Sequence, residues 1–232
     1  MQTLRQGGLT VAAGLILLFG PALATSQDAP DSIENQSVEQ FLTRRDDVSS
    51  YSATRRMDAE NPGSGKSGWL EARTEFEPQA GFRYEILAEG GSEAIRSRVL
   101  RAVLEGEREM VARGGITRSA IAATNYGFRL DGVDSTGLVK VLLSPRRKEP
   151  TLVNGAMFLS PSDGELVRVE GRLAKSPSFW VQRVDVVRSY QRIEGALLPV
   201  AVESVAHVRF FGTSTLRMTY EYSQVDGRTV RH

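Results

Sequence analysis

The sequence contains no cysteine among its 232 residues. Disulfide bonds are therefore excluded, and so is a lipid anchor attached through a cysteine at the N-terminus. An exported fold without cross-links has to be held together by its apolar core alone. The chain has the length of one ordinary domain and is large enough to bury a substantial core.

Histidine is also scarce, since only His207 and His232 are present. A zinc site or a histidine-based triad needs more histidine, cysteine or clustered acids than this chain supplies. The 28 acidic residues form many carboxylate pairs by chance, and most of them fall on polar strand positions, where solvated charges belong. We therefore predict no catalytic residue, no metal site and no cofactor, and we expect that the chain is not an enzyme.

The chain also has no large excess of positive or negative charge. The 29 Lys and Arg residues balance the 28 Asp and Glu residues, which leaves a net charge of +1. General affinity for nucleic acid depends on an excess of basic residues. Nucleic acid is therefore not an expected partner.

Only the first residues contain a long apolar run. Arg5 precedes an apolar stretch over residues 9–19, which is followed by Gly-Pro and by the small-x-small pattern Ala22-Leu23-Ala24. This order is typical of a secretory signal peptide, so residues 1–24 are predicted to be cleaved off after Ala24. The alternative is an uncleaved anchor, although the run is shorter than the roughly 20 residues of a membrane span.

A complete nucleotide-binding P-loop is missing. Gly65-Lys66-Ser67 matches the end of that motif, but Glu60 stands where its first glycine is needed. Binding phosphate in this way requires a buried strand before the glycines and a helix after them. The preceding TRRMDAE does not resemble an apolar strand, and the following GWLEARTEF alternates like a strand. We interpret residues 61–69 as a turn that joins two strands.

Alternation of polar and apolar residues dominates the chain after residue 48. It is clearest in WLEARTEF, GFRYEILAE, ELVRVEGRL and TLRMTYEYS. Strict alternation gives each strand one dry and one wet face, as in antiparallel sheet, and Asp163-Gly164 and Asp226-Gly227 predict hairpin turns. In the second stretch Ala88 is predicted on the dry face and Glu89 on the wet face. The other dry positions are Leu70, Ala72, Thr74, Phe76, Phe82, Tyr84, Ile86, Val167, Val169, Gly171, Leu173, Leu216, Met218, Tyr220 and Tyr222.

A short helix is predicted near the start of the exported chain. Residues 25–36 are polar and are predicted to form a flexible leader. Ser37 and Gln40 then have the spacing of a capping box, and the next residues provide a small apolar face. The helix is therefore expected to begin at Ser37.

A long helix is predicted over residues 93–113, between Gly90-Gly91 and Gly114-Gly115. Apolar residues recur along it at helical spacing, Val99 and Val103 among them. This apolar stripe needs a partner, and the dry face of the sheet is the only large surface available. The predicted fold class is therefore mainly β with helices. A curved antiparallel sheet carries a long and a short helix on its concave side, in a single domain over residues 37–228.

The second half of the chain shows a characteristic order of features over roughly residues 138–227. A strand ends in a basic turn at Pro145–Lys148, a hairpin follows through Asp163-Gly164, and VRVEGRLAKSPSFW, YQRIEGALLPVAVES and a tyrosine-rich strand come next. In this it resembles exported bacterial proteins of the outer-membrane lipoprotein-sorting type, related to the periplasmic lipoprotein carrier LolA. The first half matches in layout only. The resemblance implies an unclosed β-barrel, the LolA-like half-barrel, and a location in the periplasm.

The resemblance also implies a function without covalent chemistry. Proteins of this family hold the acyl chains of lipoproteins, or other lipids, against the concave face of the half-barrel. In such carriers an arginine near the mouth controls opening, and no arginine of this chain is matched to that role. The alternative is a cell-envelope interaction or sensor module with a filled core that docks a protein partner.

The residues themselves leave both functions open. Each CH₂ of an alkyl chain that leaves water contributes about 0.8 kcal/mol, so a hollow dry face binds lipid without polar contacts. The same pattern is equally that of an ordinary filled core. The predicted apolar lining of a ligand site comprises Leu70, Phe76, Phe82, Tyr84, Ile86, Val99, Val103, Val167, Val169, Leu216, Met218 and Tyr220.

The expected partners follow from these two functions. They are a lipid or lipidated protein, with a membrane surface or an envelope protein as a further contact, and the chain is expected to be a monomer. Arg146, Arg147 and Lys148 are predicted to contact anionic head groups. The alternative for this basic turn is a solvated hairpin tip, because Glu149 follows directly.

Overall fold

The computed structural model describes residues 33–44, 50–179, 181–210 and 212–231. The predicted signal peptide, residues 1–24, lies outside these residues, and so does the predicted leader up to residue 32. Among the helices of these ranges, none combines the length and apolar character needed to cross a membrane.

Within the described ranges, eleven strands form one antiparallel sheet. Its order is β3-β2-β1-β10-β9-β8-β7-β6-β5-β4, and β11 pairs with β10. The edge strands β3 and β4 do not pair with each other, so the sheet is not closed, and the predicted fold class is confirmed. The strands are β1 Tyr51–Asn61, β2 Lys66–Glu77, β3 Gly81–Gly91, β4 Tyr126–Val133, β5 Val139–Pro145, β6 Val153–Leu159, β7 Leu166–Leu173, β8 Val181–Ile193, β9 Ala196–Val208, β10 Gly212–Val225 and β11 Arg228–Thr229.

The turns between strands have the predicted chemistry. Asp163-Gly164 lies between β6 and β7, and Asp226-Gly227 lies between β10 and β11 with both residues at positive φ. The P-loop-like stretch is a 3-10 turn, Pro62–Ser64, between β1 and β2. The TRRMDAE segment before it does belong to a strand, β1, because every second residue of that strand is buried.

Both main helices pack on the same face of the sheet, which we call the helix-covered face. Cross-strand partners connect Leu70, Met57, Met218 and Val202 in one row over β2, β1, β10 and β9. The row continues over β8, β7, β6 and β5 through Arg188, Val169, Met157 and Val141. Residues directly opposite each other share a face, so this row defines one continuous surface.

The first helix, Ile33–Thr43, covers one end of this face. Val38 and Phe41 pack against the apolar cluster of β5, β6 and β7 that contains Val141 and Met157. The predicted start at Ser37 is wrong by four residues, and residues 33–36 of the predicted leader are helical. Ser37 lies inside the helix, where its buried hydroxyl donates to the carbonyl of Pro161 at 3.3 Å.

The long helix, residues 93–112, covers the other end of the face. It consists of an α-helical turn Glu93–Ile95, a π-helical stretch Arg96–Leu100 and an α-helix Arg101–Ala112. A short third helix, Gly115–Ser119, follows it. Ile95, Leu100 and Leu104 of the long helix pack against β1, β2 and β10 in a second apolar cluster.

Two of the β-bulges lie within segments whose faces were predicted from the sequence. In β3, Ala72 pairs with Ile86 but Glu71 pairs with Ala88, so the alternation shifts at Leu87. Glu89 therefore lies opposite Leu70 on the helix-covered face, and the predicted sides of Ala88 and Glu89 are reversed. In β7, a similar shift places Leu166 opposite buried Leu159.

Candidate functional site

An arginine lies in the core beneath the long helix. The buried positions of β1 alternate, and Arg55 occupies one of them between Ala53 and Met57. Only 1% of Arg55 is exposed. A buried charge is rare and costly unless it is paired and hydrogen-bonded, so the surroundings of Arg55 are the first candidate for a functional site.

The partner of Arg55 comes from the long helix. Arg55 Nη2 donates to Glu107 Oε1 at 2.9 Å, and Nη1 donates to Glu107 Oε2 at 2.5 Å, which makes a bidentate ion pair. Arg55 Nη2 also donates to the hydroxyl of Tyr51 at 2.8 Å. The Glu107 side chain is 28% exposed, so the pair joins the sheet interior to the edge of the helix.

Two aromatic rings enclose the guanidinium of Arg55. Its central carbon lies 5.0 Å from the ring centroid of Phe82 and 4.7 Å from that of Tyr220. Cation–π contacts of this kind are stronger where water is excluded. We call Arg55, Glu107, Tyr51, Phe82 and Tyr220 the latch, because together they fasten the long helix to the sheet.

The latch keeps its charges in the folded protein. Burial acts to lower the pKa of Arg55, but the hydrogen bonds and charge of Glu107 outweigh it and raise that pKa, so the guanidinium stays protonated. Burial also raises the pKa of Tyr220 to about 12 and that of Tyr51 further, so both phenols stay neutral. The Arg55 Nε–H has no hydrogen-bond partner among the described residues. This leaves the pair incompletely satisfied.

A second polar contact fastens the start of the long helix. Glu89 accepts hydrogen bonds from Arg96 Nη1 at 2.6 Å and from Arg101 Nη2 at 2.6 Å. The hydrogen bond from Arg101 is the main reason that the pKa of Glu89 is lowered. Further along, the Tyr84 hydroxyl of β3 bonds Glu105 of the helix. The carboxylates of Glu89, Glu105 and Glu107 thus connect the helix to the sheet at three points along its length.

These contacts predict a stability that depends on pH. Because the folded pKa of Glu89 is lowered, its contribution is complete above its unfolded pKa of about 4.3 and is lost as pH falls through the folded value. Glu89→Gln is expected to lower the urea midpoint at pH 6, and the gap from the wild type is expected to narrow as the pH falls through the lowered pKa of Glu89. Urea titrations at pH 6 and at lower pH values measure this gap.

The control for that titration is Glu85→Gln. Glu85 lies on the same strand but pairs with Arg73 at 3.0 Å in an exposed position, with 66% of its side chain accessible. Exposed pairs of this kind contribute little, so its midpoint is expected to follow that of the wild type. An equal gap between Glu89→Gln and the wild type at all of these pH values would contradict the assignment.

Glycine pairs flank the long helix. Gly90-Gly91 precedes it and Gly114-Gly115 follows it, with Gly91 at φ 83° and Gly114 at φ 68°. The first pair is held closely, since Ser92 N donates to the Ser67 carbonyl at 2.7 Å and a side chain at Gly91 would collide with that carbonyl. The two pairs lie at the two ends of the long helix, and glycine adopts a wider range of backbone angles than other residues.

The surface under the helix is filled in this structure. Met57 and Leu70 of the sheet and Leu100 and Leu104 of the helix are all fully buried, at 0% exposure. Binding an apolar ligand at this place therefore requires the helix to move away from the sheet.

A strip of the helix-covered face lies between the two helix-packed clusters. It is formed by inward positions of β8, β9 and β10 that are only half-buried, such as Arg188, Val202 and Leu216. Val202 packs against both clusters. The strip therefore joins the surface below the long helix to the surface below the first helix.

Most of the predicted lining residues lie on the helix-covered face. Val169 belongs to the cluster under the first helix. Val167 is half-buried and lies outside the buried clusters, because the bulge in β7 turns Leu166 inward instead. Phe76 is half-buried, with its ring centroid 5.9 Å from that of Tyr51. The remaining nine are part of, or pack against, the cluster under the long helix: Leu70, Phe82, Tyr84, Ile86, Val99, Val103, Leu216, Met218 and Tyr220.

The predicted head-group residues are not equivalent. Arg146 Nε donates to backbone carbonyls of Ala123 and Tyr126 at 2.8 and 3.1 Å. Arg147 donates to the side chain of Asn125 at 2.7 Å and pairs with Glu149. Both arginines therefore fasten the loop before β4. Lys148 is exposed and has no ion pair within the described ranges.

No group of three His, Asp or Glu side chains in the described chain is placed to hold a metal ion. His207 lies on β9 with Nε2 at 3.8 Å from Asp185, and 44% of its side chain is exposed. A groove of about 510 Å³ lies along β5–β9, and Leu142, Ala156 and Val187 on its floor point away from the helices. Its lining contains neither His207 nor the latch.

Sequence reasoning missed the latch, although one signal was present. Ala53, Met57 and Ala59 alternate as buried positions of β1, and Arg55 falls in the same phase. An arginine at one of the alternating buried positions of a strand predicts a buried charge that pairs with a residue of another element. Its partner Glu107 is 52 residues away on another element, so spacing alone does not reveal it.

Comparison with known proteins gives likenesses of fold. No family model and no curated protein matches the sequence. The structure is similar to that of a LolA superfamily protein from Nitrosomonas europaea, at 11% identity over 85% of this chain and 94% of that one, with a TM-score of 0.39. It is also similar to that of a DUF1329 family protein from Desulfovibrio piger, at 8% identity over 82% and 88%, with a TM-score of 0.37. These likenesses concern the fold alone.

Proposed function

We propose that the chain is an exported carrier that holds an apolar or lipidated ligand against the helix-covered face, without covalent chemistry. The ligand class is one with long alkyl chains, such as the acyl chains of a lipoprotein or a free lipid. In this function the long helix is a lid, and the latch sets how readily it opens. The place of action is the periplasm, as the predicted signal peptide and the sequence resemblance imply.

The observation that carries the proposal is the buried ion pair between Arg55 and Glu107. If the helix were only part of a permanent core, an apolar pair at these positions would stabilise it as well or better. An ion pair with one partner near the surface is instead easy to replace by water when the helix moves.

Opening exposes a surface that suits hydrocarbon. Rotation at the flanking glycines separates Leu100 and Leu104 from Met57 and Leu70, all fully buried when closed. An alkyl chain that takes the place of the helix regains this burial at about 0.8 kcal/mol per CH₂. The half-buried strip around Val202 provides a path toward the first helix.

Ligand binding by purified protein tests the proposal. Native mass spectrometry of protein isolated from the cell envelope is expected to show co-purified lipid, and delipidated protein is expected to bind a fluorescent fatty acid at about one equivalent. The Phe82 and Tyr220 rings flank the site, so bound probe is expected to quench tyrosine emission. Protein that is consistently free of lipid and leaves the probe fluorescence unchanged would overturn the carrier function.

One observation favours a second candidate, an envelope interaction module. The interface between helix and sheet is filled in the described state, as a permanent core would be. In that function a protein partner docks on the outside and the helix never opens. Affinity purification that recovers a stoichiometric protein partner, from cells whose purified chain carries no lipid, would support it.

A further inference from the structure

Two neighbouring loops at one end of the sheet carry highly exposed aromatic side chains. Phe179, in the loop between β7 and β8, is 72% exposed, and Phe210, in the turn between β9 and β10, is 90% exposed. The loops are adjacent because Val181 pairs with Val208. Arg209 lies over the ring of Phe179, with 4.6 Å between guanidinium carbon and ring centroid.

Phe210 has a backbone conformation that its side chain does not favour. Its φ is 67°, in the left-handed region that glycine adopts freely and bulky residues rarely do. A phenylalanine here adds strain and leaves a ring in water, and the fold gains no buried contact from it. A strained backbone and an exposed ring at the same turn indicate that the ring contacts a molecule outside the chain.

The charges of the two sheet ends differ. On the side of Phe179 and Phe210, the connections 146–152, 174–180 and 209–211 contain five basic residues and one acidic residue, Glu149. Glu149 is already paired with Arg118 and Arg147. The hairpin turns at the opposite end contain five acidic residues, of which Glu165 is paired with Arg44 and Arg192: Asp134, Asp163, Glu165, Glu194 and Asp226.

We propose that this end of the sheet docks on the surface of a lipid bilayer that contains anionic head groups. The docking surface consists of Lys148, Lys175, Phe179, Arg209 and Phe210, and we call it the aromatic end. Aromatic rings are favoured at the membrane–water boundary, and basic residues are attracted to an anionic surface. The acidic turns at the far end are repelled by the same surface, which orients the sheet upright on it.

A bilayer fits these residues better than a protein groove does. The rings stand on turns at the tips of strands, where they can enter the head-group layer side by side. The basic residues spread over three separate loops, which suits a diffuse charged plane. The docking does not rest on the proposed carrier function, since a module with a filled core would use the same end.

Flotation of the purified chain with vesicles tests the docking. The chain is expected to float with vesicles of phosphatidylcholine plus phosphatidylglycerol, and about tenfold less with phosphatidylcholine alone. High salt is expected to weaken the first interaction, because exposed charges are screened. Equal binding to both vesicle types, or no binding to either, overturns the proposal. Neither result depends on uptake of a fatty acid from solution. The flotation experiment can therefore refute the docking without refuting the carrier function.

Variants locate the docking surface. Phe179→Ser with Phe210→Gly is expected to lose binding at least tenfold while its melting temperature stays equal or rises, because glycine relieves the strain at position 210. Lys175→Glu with Arg209→Glu is expected to abolish the preference for anionic vesicles. The matched control is Leu87→Ser with Val133→Ser, which removes two apolar residues exposed at 42% and 52% elsewhere. Binding that survives in the phenylalanine variant, or is lost equally in the control, refutes the assignment.

Discussion

Glu107→Gln is expected to lower the free energy of unfolding by about 3 kcal/mol. The change leaves the Arg55 guanidinium buried without its counter-charge, and the loss of one partner of a buried pair costs about 3–5 kcal/mol. The lower end of that range applies because the Glu107 side chain is 28% exposed. Urea unfolding measures the change, and uptake of a fluorescent fatty acid is expected to accelerate in the same variant.

The control for this substitution is Glu109→Gln, on the same helix. Glu109 pairs with Arg113 at 3.1 Å, but both side chains are more than half exposed. Its stability is expected to change by about 0.5 kcal/mol or less. If Glu107→Gln behaves like Glu109→Gln in both measurements, the latch does not hold the helix.

The second large effect is expected from an apolar replacement of the whole pair. Arg55→Met combined with Glu107→Leu is expected to be as stable as the wild type or more stable, by about 1–4 kcal/mol, because no charge remains to be buried. The same double variant is expected to take up a fluorescent fatty acid at least tenfold more slowly, since its helix is held by apolar contacts that water does not replace.

This variant is expected to keep or gain stability while its rate of fatty-acid uptake falls. That combination distinguishes a latch from an ordinary core contact. Stopped-flow mixing with the fluorescent fatty acid gives the rate, and urea unfolding gives the stability. Wild-type uptake in a variant of unchanged or raised stability would show that the ion pair has no part in opening.

The sequence allowed the sheet to be predicted because its signals are local. Alternation in strands such as β2 and β10, and Asp-Gly turns such as Asp163-Gly164, depend on neighbouring residues only. Consecutive hairpins account for most neighbours in the sheet, but the pairing of β1 with β10 was not predicted, because the two strands are far apart in sequence. The apolar stripe of the long helix was predicted to pack on the dry face of the sheet, because no other large apolar surface was available. The start of the first helix was missed because Ser37 resembles a cap, while its hydroxyl bonds Pro161 across the domain.

The candidate site was harder to predict because it depends on which residues of a strand face the core and on partners that are distant in sequence. Two adjacent arginines, Arg55 and Arg56, look alike in sequence, but only Arg55 falls on the buried side of β1. The bulge at Leu87 brings Glu89 to the helix, and nothing in the pattern of β3 marks that bulge. The aromatic end was missed because exposure of Phe179 and Phe210 is a property of loops, for which periodicity predicts nothing.

Hydrogen exchange of the native protein tests the central claim most directly, because the claim is that the long helix opens while the sheet stays folded. The account predicts that amides of residues 93–112 exchange through an opening that requires much less free energy than global unfolding, and that Glu107→Gln lowers that free energy further. Amides of β1 and β10 are expected to exchange only by global unfolding. Exchange of the helix at the same free energy as these strands would contradict the account.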